Sequence, residues 1–524
     1  TPERPIHVVG ADDTRMVQNQ SEAMPPNLHG STVEGEPTNG GFFFFTDDLT
    51  LKNLIASASA TDNSQGWALI EARTSGKTLT LDNVLFEHNN WIFIQSNEVP
   101  NTSLHISDSY FVNMSGEACR RNGGVYDNTA HPTAELIVEN STHVMAQGMM
   151  YKFRGFYFGK AFFNHNTFVN ASSNLFTSFG YHTNLTMTNN LFVNSNVQGY
   201  FPGLDVEETD QDNMPHGIVN VALLPDDDES FEGYTEEDRR ILVFNNGVFW
   251  DDRLDSIVEE LNAIAAQDRT DWVSQMMTMN ARSQELFDNS SYMNEGNWIM
   301  GGDPDFTNPE NLMTDMVDAL VAFSIDAADD GGQVLPKWRI DPDRQTARGS
   351  DDGMMPYPDW PIPVDLSYSN SAYLSAGLGG MPLGDLNWFP ADKETFNALK
   401  DELHAELESA LNEGRDPQYG TPSSVENVPQ GPTSFELAQN YPNPFNPATQ
   451  IRFTLQNSAD VKLEVYDVTG RLVSTLINDS MGAGSHTVTW DATNQSGMSV
   501  SSGVYIYRLT AGEEVQARTM TLIK

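Results

Sequence analysis

The segment Leu79-Thr-Leu-Asp-Asn83 decides the fold, because six other segments of the same form lie between residues 49 and 245. Each has an apolar residue at its first and third positions and ends in Asn, Asp or His. The other six are Leu49-Thr-Leu-Lys-Asn53, Leu104-His-Ile-Ser-Asp108, Leu136-Ile-Val-Glu-Asn140, Ala161-Phe-Phe-Asn-His165, Leu185-Thr-Met-Thr-Asn189 and Ile241-Leu-Val-Phe-Asn245. They recur at intervals of 24 to 32 residues, except for a last interval of 56. Such a repeat predicts a solenoid whose strands stack on one another.

Aromatic rings follow the repeat in the same register. Three residues after the closing position stand Phe86, Phe111, His143, Phe168 and Phe192. We predict that stacking places these side chains in one internal column and the Asn or Asp residues at the corners, where they tolerate a left-handed backbone. The chain is therefore predicted to be mainly β, with a right-handed parallel β-helix over residues 40–252. This pattern resembles the pectate-lyase-like β-helix superfamily in architecture, a likeness that implies no catalytic residue.

The segments around the predicted solenoid have other patterns. Residues 1–39 are expected to form an arm that caps the first strands, which begin with the run Gly40–Thr46. Residues 198–240 interrupt the repeat as an acidic insertion. Residues 253–413 are expected to pack on the solenoid, and residues 414–434 form a Pro/Gly/Ser-rich linker. Helical spacing within 253–413 occurs at Leu254–Ala266, Trp272–Phe287, Leu312–Phe323 and Thr395–Leu411.

Residues 435–524 alternate apolar and polar side chains in short runs between Gly and Asn/Asp turns, which predicts an antiparallel immunoglobulin-like β-sandwich. Three motifs stand out: Asn440-Tyr-Pro-Asn-Pro-Phe-Asn-Pro447, Val465-Tyr-Asp-Val-Thr-Gly-Arg-Leu-Val473 and Ser502-Gly-Val-Tyr-Ile-Tyr-Arg-Leu509. Together with the basic last residue they resemble the C-terminal sorting domain of type IX secretion cargo. The matching positions are Tyr441, Pro442, Asn443, Pro444, Gly470, Gly503, Tyr505 and Lys524.

The resemblance to a sorting domain has consequences for location and partners. It implies export across both membranes of a bacterium, recognition by the outer-membrane secretion machinery, and a secreted or cell-surface location. A generic immunoglobulin-like or fibronectin-like module is the alternative interpretation of the same residues.

The composition agrees with an extracellular protein. The chain carries 28 Lys and Arg against 73 Asp and Glu, a formal net charge of -45. Such a surface repels nucleic acid and anionic membranes. The one cysteine, Cys119, cannot form an internal disulfide, so packing must hold the fold. No apolar stretch is long enough for a membrane-spanning helix.

Basic residues cluster where they are otherwise rare. Lys152, Arg154 and Lys160 alternate with aromatic residues, as would suit a sugar-binding cleft. In a polysaccharide lyase, Lys or Arg would remove the proton beside a uronate whose charge a cation neutralises. A glycoside hydrolase would instead need two facing carboxylates, which the sequence does not pick out. The three basic residues are the candidate catalytic residues; ion pairing with acidic loops or a subunit contact is the other interpretation.

The acidic insertion contains candidate metal ligands. Clustered carboxylates could bind calcium, which accepts irregular loops of oxygen ligands. A solvated acidic loop is the alternative, because no spacing matches a known calcium-binding loop. The candidate ligands are Asp205, Asp210, Asp212, Asp226 and Asp228.

Two functions of different classes follow. The first is an exported surface structural protein: an adhesin, a coat component or a self-associating fibre subunit. The second is a secreted carbohydrate-active protein, either a polysaccharide lyase or a polysaccharide-binding protein, acting on an acidic polysaccharide.

Overall fold

A computed structural model of the chain describes most of its residues. They are residues 6–9, 27–30, 43–60, 68–89, 92–96, 99–114, 124–128, 131–152, 158–172, 175–176, 184–197, 217–224, 234–257, 259, 276–330, 364–419, 436–437, 440, 445, 449–455, 459–481, 484–495, 498–512 and 514–522. The chain divides into two compact units, Thr1–Gly420 and Thr421–Lys524. The division falls inside the segment predicted to be a linker.

Unit 1 consists of short strands and a few helices. Its strands are β1 (Ile6–Val9), β2 (Asn27–Gly30), β3 (Phe43–Phe45), β4 (Leu49–Ala60), β5 (Ala68–Ala72), β6 (Thr78–Asn89), β7 (Ile92–Gln95), β8 (Thr102–Ser107), β9 (Tyr110–Met114), β10 (Gly124–Asp127), β11 (Thr133–Glu139), β12 (Thr142–Ala146), β13 (Tyr151–Lys152), β14 (Phe158–Asn164), β15 (Thr167–Ala171), β16 (Asn184–Thr188), β17 (Leu191–Ser195), β18 (Arg240–Phe244), β19 (Gly247–Phe249), β20 (Met293–Gly296), β21 (Phe306–Asn308) and β22 (Asp365–Tyr368). Its helices are α1 (Ala281–Asn289), α2 (Asp315–Asp330), α3 (Ser371–Leu374) and α4 (Pro390–Glu413).

Almost all of these strands pair in parallel. In the large sheet of the described residues, the first row of strands runs β4-β6-β8-β11-β14-β16-β18-β20. A second row, β9-β12-β15-β17-β19, branches from the later half of β6. A separate third sheet has the order β13-β10-β7-β5-β3. The seven predicted repeats all lie in the first row, and each pairs in the predicted phase with its neighbour.

The corners between the first and second rows confirm the role expected of the closing residues. All seven closing residues have a positive φ, between 49° and 57°. They are Asn53, Asn83, Asp108, Asn140, His165, Asn189 and Asn245. The side chain of Asn83 donates from Nδ2 to Oδ1 of Asn53 at 2.7 Å. A corner residue thus bends the strand and bonds to the equivalent residue one repeat away. An eighth corner, Asn297, follows β20.

The predicted aromatic column is also confirmed. Successive pairs of strands place Phe86, Phe111, His143, Phe168 and Phe192 in one register. Neighbouring ring centroids lie 5.5, 5.1, 4.6 and 5.0 Å apart along the column. All five side chains are buried. Contacts of this kind add to the stabilisation from burial itself.

The arm and the first Phe residues extend the stack. β1 pairs with Leu49–Lys52 and β2 pairs with Ile55–Ala60, so both described parts of the arm cover the edge of β4. In β3, Phe45 is buried, whereas Phe44 is 52% exposed and lies beneath the guanidinium of Arg73, 4.5 Å from the ring centroid. The described part of the arm therefore does not cover Phe44.

The helical predictions are partly confirmed. Helix α4 contains the predicted segment Thr395–Leu411, and α2 overlaps Leu312–Phe323. The prediction of a helix from Trp272 was wrong for residues 276–280, because Met277 and Thr278 accept backbone bonds from Ile218 and Val219. Helix α1 begins at Ala281 instead, where the Asn280 side chain accepts the N–H of Ser283 as an N-cap. Most of the predicted helix Leu254–Ala266 lies outside the described residues.

Unit 2 contains two antiparallel sheets, as predicted. Their orders are β23-β24-β27 and β26-β25-β28-β29. The strands are β23 (Glu436–Leu437), β24 (Thr449–Leu455), β25 (Ala459–Asp467), β26 (Leu472–Met481), β27 (Gly484–Trp490), β28 (Gly503–Ala511) and β29 (Glu514–Leu522). One apolar core includes Ile451, Leu463, Trp490 and Leu509.

Candidate functional sites

Two of the three candidate catalytic residues are described, and the structure places them on different sheets. Lys152 ends β13 of the third sheet, is 1% exposed, and lies beside Asp127 of β10 in the register. Lys160 lies on β14 of the first row, where it is partly exposed next to Glu135 and its Nζ is 5.9 Å from the ring centroid of Phe162. Arg154 lies outside the described residues. The lyase hypothesis expects Lys152 and Lys160 to line one groove. They do not, because they lie on different sheets.

The candidate metal ligands in the acidic insertion, Asp205, Asp210, Asp212, Asp226 and Asp228, lie outside the described residues. Among the residues that are described, no three His, Cys, Asp or Glu side chains come together as metal ligands would. Within the same part of the chain, no helix combines the length and the hydropathy needed to cross a membrane.

A cluster of charged side chains lies where helix α4 packs on the first row of strands. We call it the corner cluster; its members are Asp108, Glu139, His165, Asp385, Asn387, Lys393, Lys400 and His404. Five of these members are buried: Glu139, the corner residue His165, Asp385, Asn387 and Lys393. The sequence offers one signal for this site: Lys393, Lys400 and His404 stand at helical spacing on the stripe of α4 that also carries Phe396 and Leu403, which are buried.

Glu139 is the most enclosed carboxylate of the corner cluster. It ends β11 with an exposed fraction of 2%, and its Oε2 lies 2.5 Å from Lys400 Nζ. Its Oε1 lies 2.7 Å from His404 Nε2 and accepts a bond of 2.9 Å from Asn164 Nδ2. Burial alone would raise the pKa of Glu139, but the bonds and charges of His404 and Lys400 outweigh burial and hold that pKa below its ordinary value. Glu139 therefore anchors α4 as a carboxylate.

Asp385 is the second buried carboxyl group of the cluster. Its Oδ1 accepts the backbone N–H of Asn387 at 2.9 Å and the Asn387 side-chain Nδ2 at 2.8 Å. Its Oδ2 accepts the hydroxyl of Thr142 at 2.8 Å, and that hydroxyl oxygen accepts Trp388 Nε1–H. Burial raises the pKa of Asp385 to about 7, against the opposing effect of the Asn387 bond. The imidazole of His165 next to this segment has its pKa lowered to about 4 by burial.

The corner cluster contains the residue types of acid–base chemistry, but α4 and the segment 377–389 enclose it. Gly384 donates its N–H to the carbonyl of Asn189, and Leu378 donates its N–H to the Asn189 side chain. Asn387 donates to the carbonyl of Asn140. The segment thus bonds to the backbone and side chains of successive corners. The observed arrangement attaches the C-terminal part of unit 1 to the parallel strands.

Three described residues of the motifs that resemble a sorting domain have structural roles in the sandwich. Tyr505 is buried, donates its hydroxyl to Ser501 O at 2.6 Å, and packs on Trp490 with ring centroids 5.2 Å apart. Gly470 and Gly503 have positive φ values of 82° and 153°, which favour glycine. Tyr441, Pro442, Asn443, Pro444 and Lys524 lie outside the described residues.

Two further residues of the Pro-rich motif attach it to the sandwich. Asn440 is buried, donates its backbone N–H to the Tyr507 hydroxyl at 2.8 Å, and donates from Nδ2 to Thr449. Phe445 is also buried, with its ring centroid 5.6 Å from that of Trp490. These two described residues of the motif therefore belong to the folded sandwich.

Comparisons with known proteins match only a part of this chain. No curated protein matches the chain. A crystal structure of dimeric latent PorU from Porphyromonas gingivalis is 21% identical over 19% of this chain and 10% of PorU, with a TM-score of 0.16. PorZ, described as an essential surface component of the type IX secretion system of the same organism, is 22% identical over 20% of this chain and 13% of PorZ, with a TM-score of 0.14.

A third solved structure, FlgD from P. aeruginosa, is 25% identical over 14% of this chain and 57% of FlgD, with a TM-score of 0.12. The chain thus matches only part of the length of each of these proteins, and TM-scores this low carry no argument about the whole fold. The family model of the FlgD Ig-like domain matches residues 445–514. The C-terminal unit is therefore similar to a FlgD Ig-like domain.

Proposed function

We propose that this chain is an exported bacterial surface protein with a structural role, whose C-terminal module acts as a type IX sorting signal. In this proposal the first row, the second row and the third sheet are the three faces of a right-handed parallel β-helix. The module would be recognised by the outer-membrane machinery, and unit 1 would serve outside the cell as an adhesin, coat component or fibre subunit.

The main support for a structural role is that buried apolar side chains fill the inside of the parallel stack without a break. Inward positions of the first row are apolar from Leu49 through Leu79, Leu104 and Leu136 to Ile241, and all five are buried. Helix α4 covers part of the outer side of this row through the buried cluster that joins Phe162 and Leu242 to the helix. A stack packed inside and covered outside is suited to rigidity.

The outer side of the second row is covered as well. Its residues Val144, Val169 and Val193 belong to one buried cluster with Leu312 and Leu320 of the following helical segment. The burial of Lys152 further supports a structural role, because a catalytic base must reach its substrate.

The export proposal rests on the C-terminal module. It is supported by the resemblance of its three motifs to sorting domains and by the immunoglobulin-like fold of unit 2. Asn440 and Phe445, the described residues of the Pro-rich motif, are buried in the sandwich. A receptor would therefore meet the motif next to a folded surface.

Electron microscopy of material attached to or shed from the native cell surface tests this proposal. The protein in that material is identified by mass spectrometry and its C-terminus is sequenced. We expect ordered fibres, lattices or surface layers that contain the chain. Dispersed particles, together with a monodisperse monomer in light scattering at all salt and calcium concentrations, would contradict a role as a building block.

A second candidate function, binding of an acidic polysaccharide, is favoured by the uncovered part of the first row. There Lys160 lies beside Glu135, whose carboxylate is 2.9 Å from His105 Nε2. Such a row of charged and hydroxyl side chains could contact an extended sugar chain. Calorimetric titration with a uronate polymer should show binding that Lys160→Ala weakens and Lys52→Ala, a change on the same row, leaves unaltered. Equal binding by both variants and the unaltered chain would count against this surface.

A further inference from the structure

One ion pair of the corner cluster joins a buried lysine to a partly exposed aspartate that is distant in sequence. The ammonium Nζ of Lys393, in the first turn of α4, lies 2.5 Å from Oδ1 of the corner residue Asp108. The Lys393 side chain is 5% exposed and that of Asp108 is 30% exposed. The two residues are 285 positions apart in the chain.

The groups around this ion pair are arranged like those of a reaction site. The two N–H groups of Asn387 Nδ2 are shared among the same Asp108 Oδ1 at 3.1 Å, Asp385 Oδ1 at 2.8 Å and the Asn140 carbonyl at 2.9 Å. Asp385 is buried and also accepts the backbone N–H of Asn387, so it fixes the orientation of that amide. The ring centroid of Phe396 lies 5.6 Å from Lys393 Nζ. An amine, a carboxyl group, and a hydrogen-bond donor on the carboxyl oxygen thus meet beside one aromatic ring.

We propose that Lys393 and Asp108 react after folding to form an intramolecular isopeptide bond. Transfer of one proton from Nζ to the carboxylate within the ion pair yields a neutral amine and a neutral carboxyl group. Nζ then attacks Cγ of Asp108, the Nζ–Cγ bond forms, and the Cγ–Oδ2 bond breaks. The nitrogen gives up two protons in all, and both leave with Oδ2 as one water molecule. No oxidant, metal or further reactant is needed.

The folded chain supplies the proximity and the stabilisation of developing charge that this reaction lacks in water. Holding the amine next to the carboxyl group replaces a bimolecular encounter with an intramolecular step. Asn387 Nδ2 is placed to stabilise the negative charge that develops on Oδ1 during attack. Asp385 acts as a positioning residue, since it reaches Asp108 through Asn387. The oxygen that stays in the amide is therefore the one that already has a donor.

The bond would give this chain a cross-link that its cysteine content does not allow. With one cysteine, no internal disulfide can form. A covalent link between Lys393 and Asp108 closes a loop of 285 residues. Loop closure of this length restricts the unfolded chain strongly and stabilises the folded one. The link would also attach α4 permanently to the parallel strands.

Intact-mass spectrometry of the purified full chain tests the proposal. The folded chain should be lighter than its sequence mass by one water molecule, and tryptic digestion should release one branched peptide that joins the regions of Asp108 and Lys393. Lys393→Arg keeps the charge but removes the nucleophile, and should have the full sequence mass. Asp108→Ala should also have the full mass, and Asn387→Ala should leave a larger fraction unreacted.

The matched control is Lys400→Arg. It alters the second lysine of α4, which pairs with the buried carboxylate of Glu139. This variant should still lose one water molecule. Circular dichroism establishes that each variant is folded. If the folded, unaltered chain keeps its full sequence mass after long incubation, the pair is an ordinary salt bridge and the proposal is wrong. A branched peptide that joins other residues would overturn it equally.

Discussion

At the scale of single residues, the corner positions combine backbone strain with side-chain bonding. Asn83 has a φ of 54° and bonds to Asn53 of the preceding repeat, and Asn189 has a φ of 57° and bonds to Asn164. Asn accepts this backbone more readily than most residues, because its side chain can bond locally. At these two corners, Asn therefore solves a steric problem and a hydrogen-bonding problem together.

Replacing Asn83 separates these two contributions. Asn83→Ala should lower the free energy of unfolding by about 2 kcal/mol, because it loses the bond to Asn53 and keeps a positive φ that alanine disfavours. Asn83→Gly should cost about 1 kcal/mol, because glycine accepts the backbone and loses only the bond. Urea denaturation of both variants measures the difference. An alanine variant as stable as the glycine variant would show that φ strain is unimportant here.

His143 is the polar member of the aromatic column, and its titration should be visible in stability. Burial lowers the pKa of His143 to about 3 from an ordinary 6.5. A depressed pKa contributes stability above the unfolded value and loses it as pH falls, here between about 6.5 and 3. In this window the unaltered chain should lose up to about 1.4 kcal/mol per pH unit relative to His143→Phe.

Denaturant curves at several pH values check the His143 prediction. At pH 7 the phenylalanine variant should be the less stable chain, because the Tyr151 hydroxyl loses the imidazole Nε2 that lies 2.8 Å away. The difference in stability between the two chains should therefore become smaller or change sign on acidification. A stability difference that stays constant with pH would mean that His143 does not titrate as its burial implies.

At the scale of elements, helix α4 shows how charge and apolar packing act together. Leu403 and Leu407 are buried against the first row, and the same helix directs Lys400 and His404 at Glu139 of β11. Apolar burial favours docking of the helix in many orientations, whereas a buried carboxylate accepts only one arrangement of its partners. The ion pairs of the corner cluster therefore define how α4 sits on the strands.

Two Glu→Gln changes on the same strand should differ in their cost. Glu139→Gln leaves Lys400 and His404 without a buried anion and should destabilise unit 1 by about 3 kcal/mol. Glu135→Gln on the exposed side of β11 removes only the pairing with His105 and should cost less than about 1 kcal/mol. Thermal unfolding measures both. Because the pKa of Glu139 is lowered, its contribution should be lost as pH falls below about 4.

At the scale of the whole molecule, the two units have separate cores. The core of unit 1 is built on the parallel strands, and the core of unit 2 contains Phe445, Trp490 and Tyr507. Each core belongs to one continuous part of the chain. Units of this kind usually unfold as separate cooperative transitions.

Scanning calorimetry should therefore resolve two transitions in the full chain. Phe445→Ala opens a cavity in the sandwich and should lower only one of them, by an amount equivalent to about 3 kcal/mol. Asn83→Ala should lower only the other. If either substitution shifts both transitions together, the two units are energetically coupled.

The sequence alone determined the repeat register, the corner residues, the aromatic column and the sandwich, because each depends on residues near one another in the chain. Period-two alternation indicates which side chains lie inside. The Asn residues that recur at a constant phase indicate where the strands bend. The candidate catalytic residues did not follow from such local patterns, since the spacing of Lys152 and Lys160 does not reveal that they belong to different sheets.

Only the tertiary structure decided which charges meet. Asp108 and Lys393 are 285 residues apart, and Glu139 and His404 are 265 apart, so no local pattern pairs them. Their contact depends on how α4 docks, which is the sum of many weak apolar contacts along the helix and the strands. The repeat follows from local backbone and side-chain preferences, whereas the corner cluster follows from long-range packing.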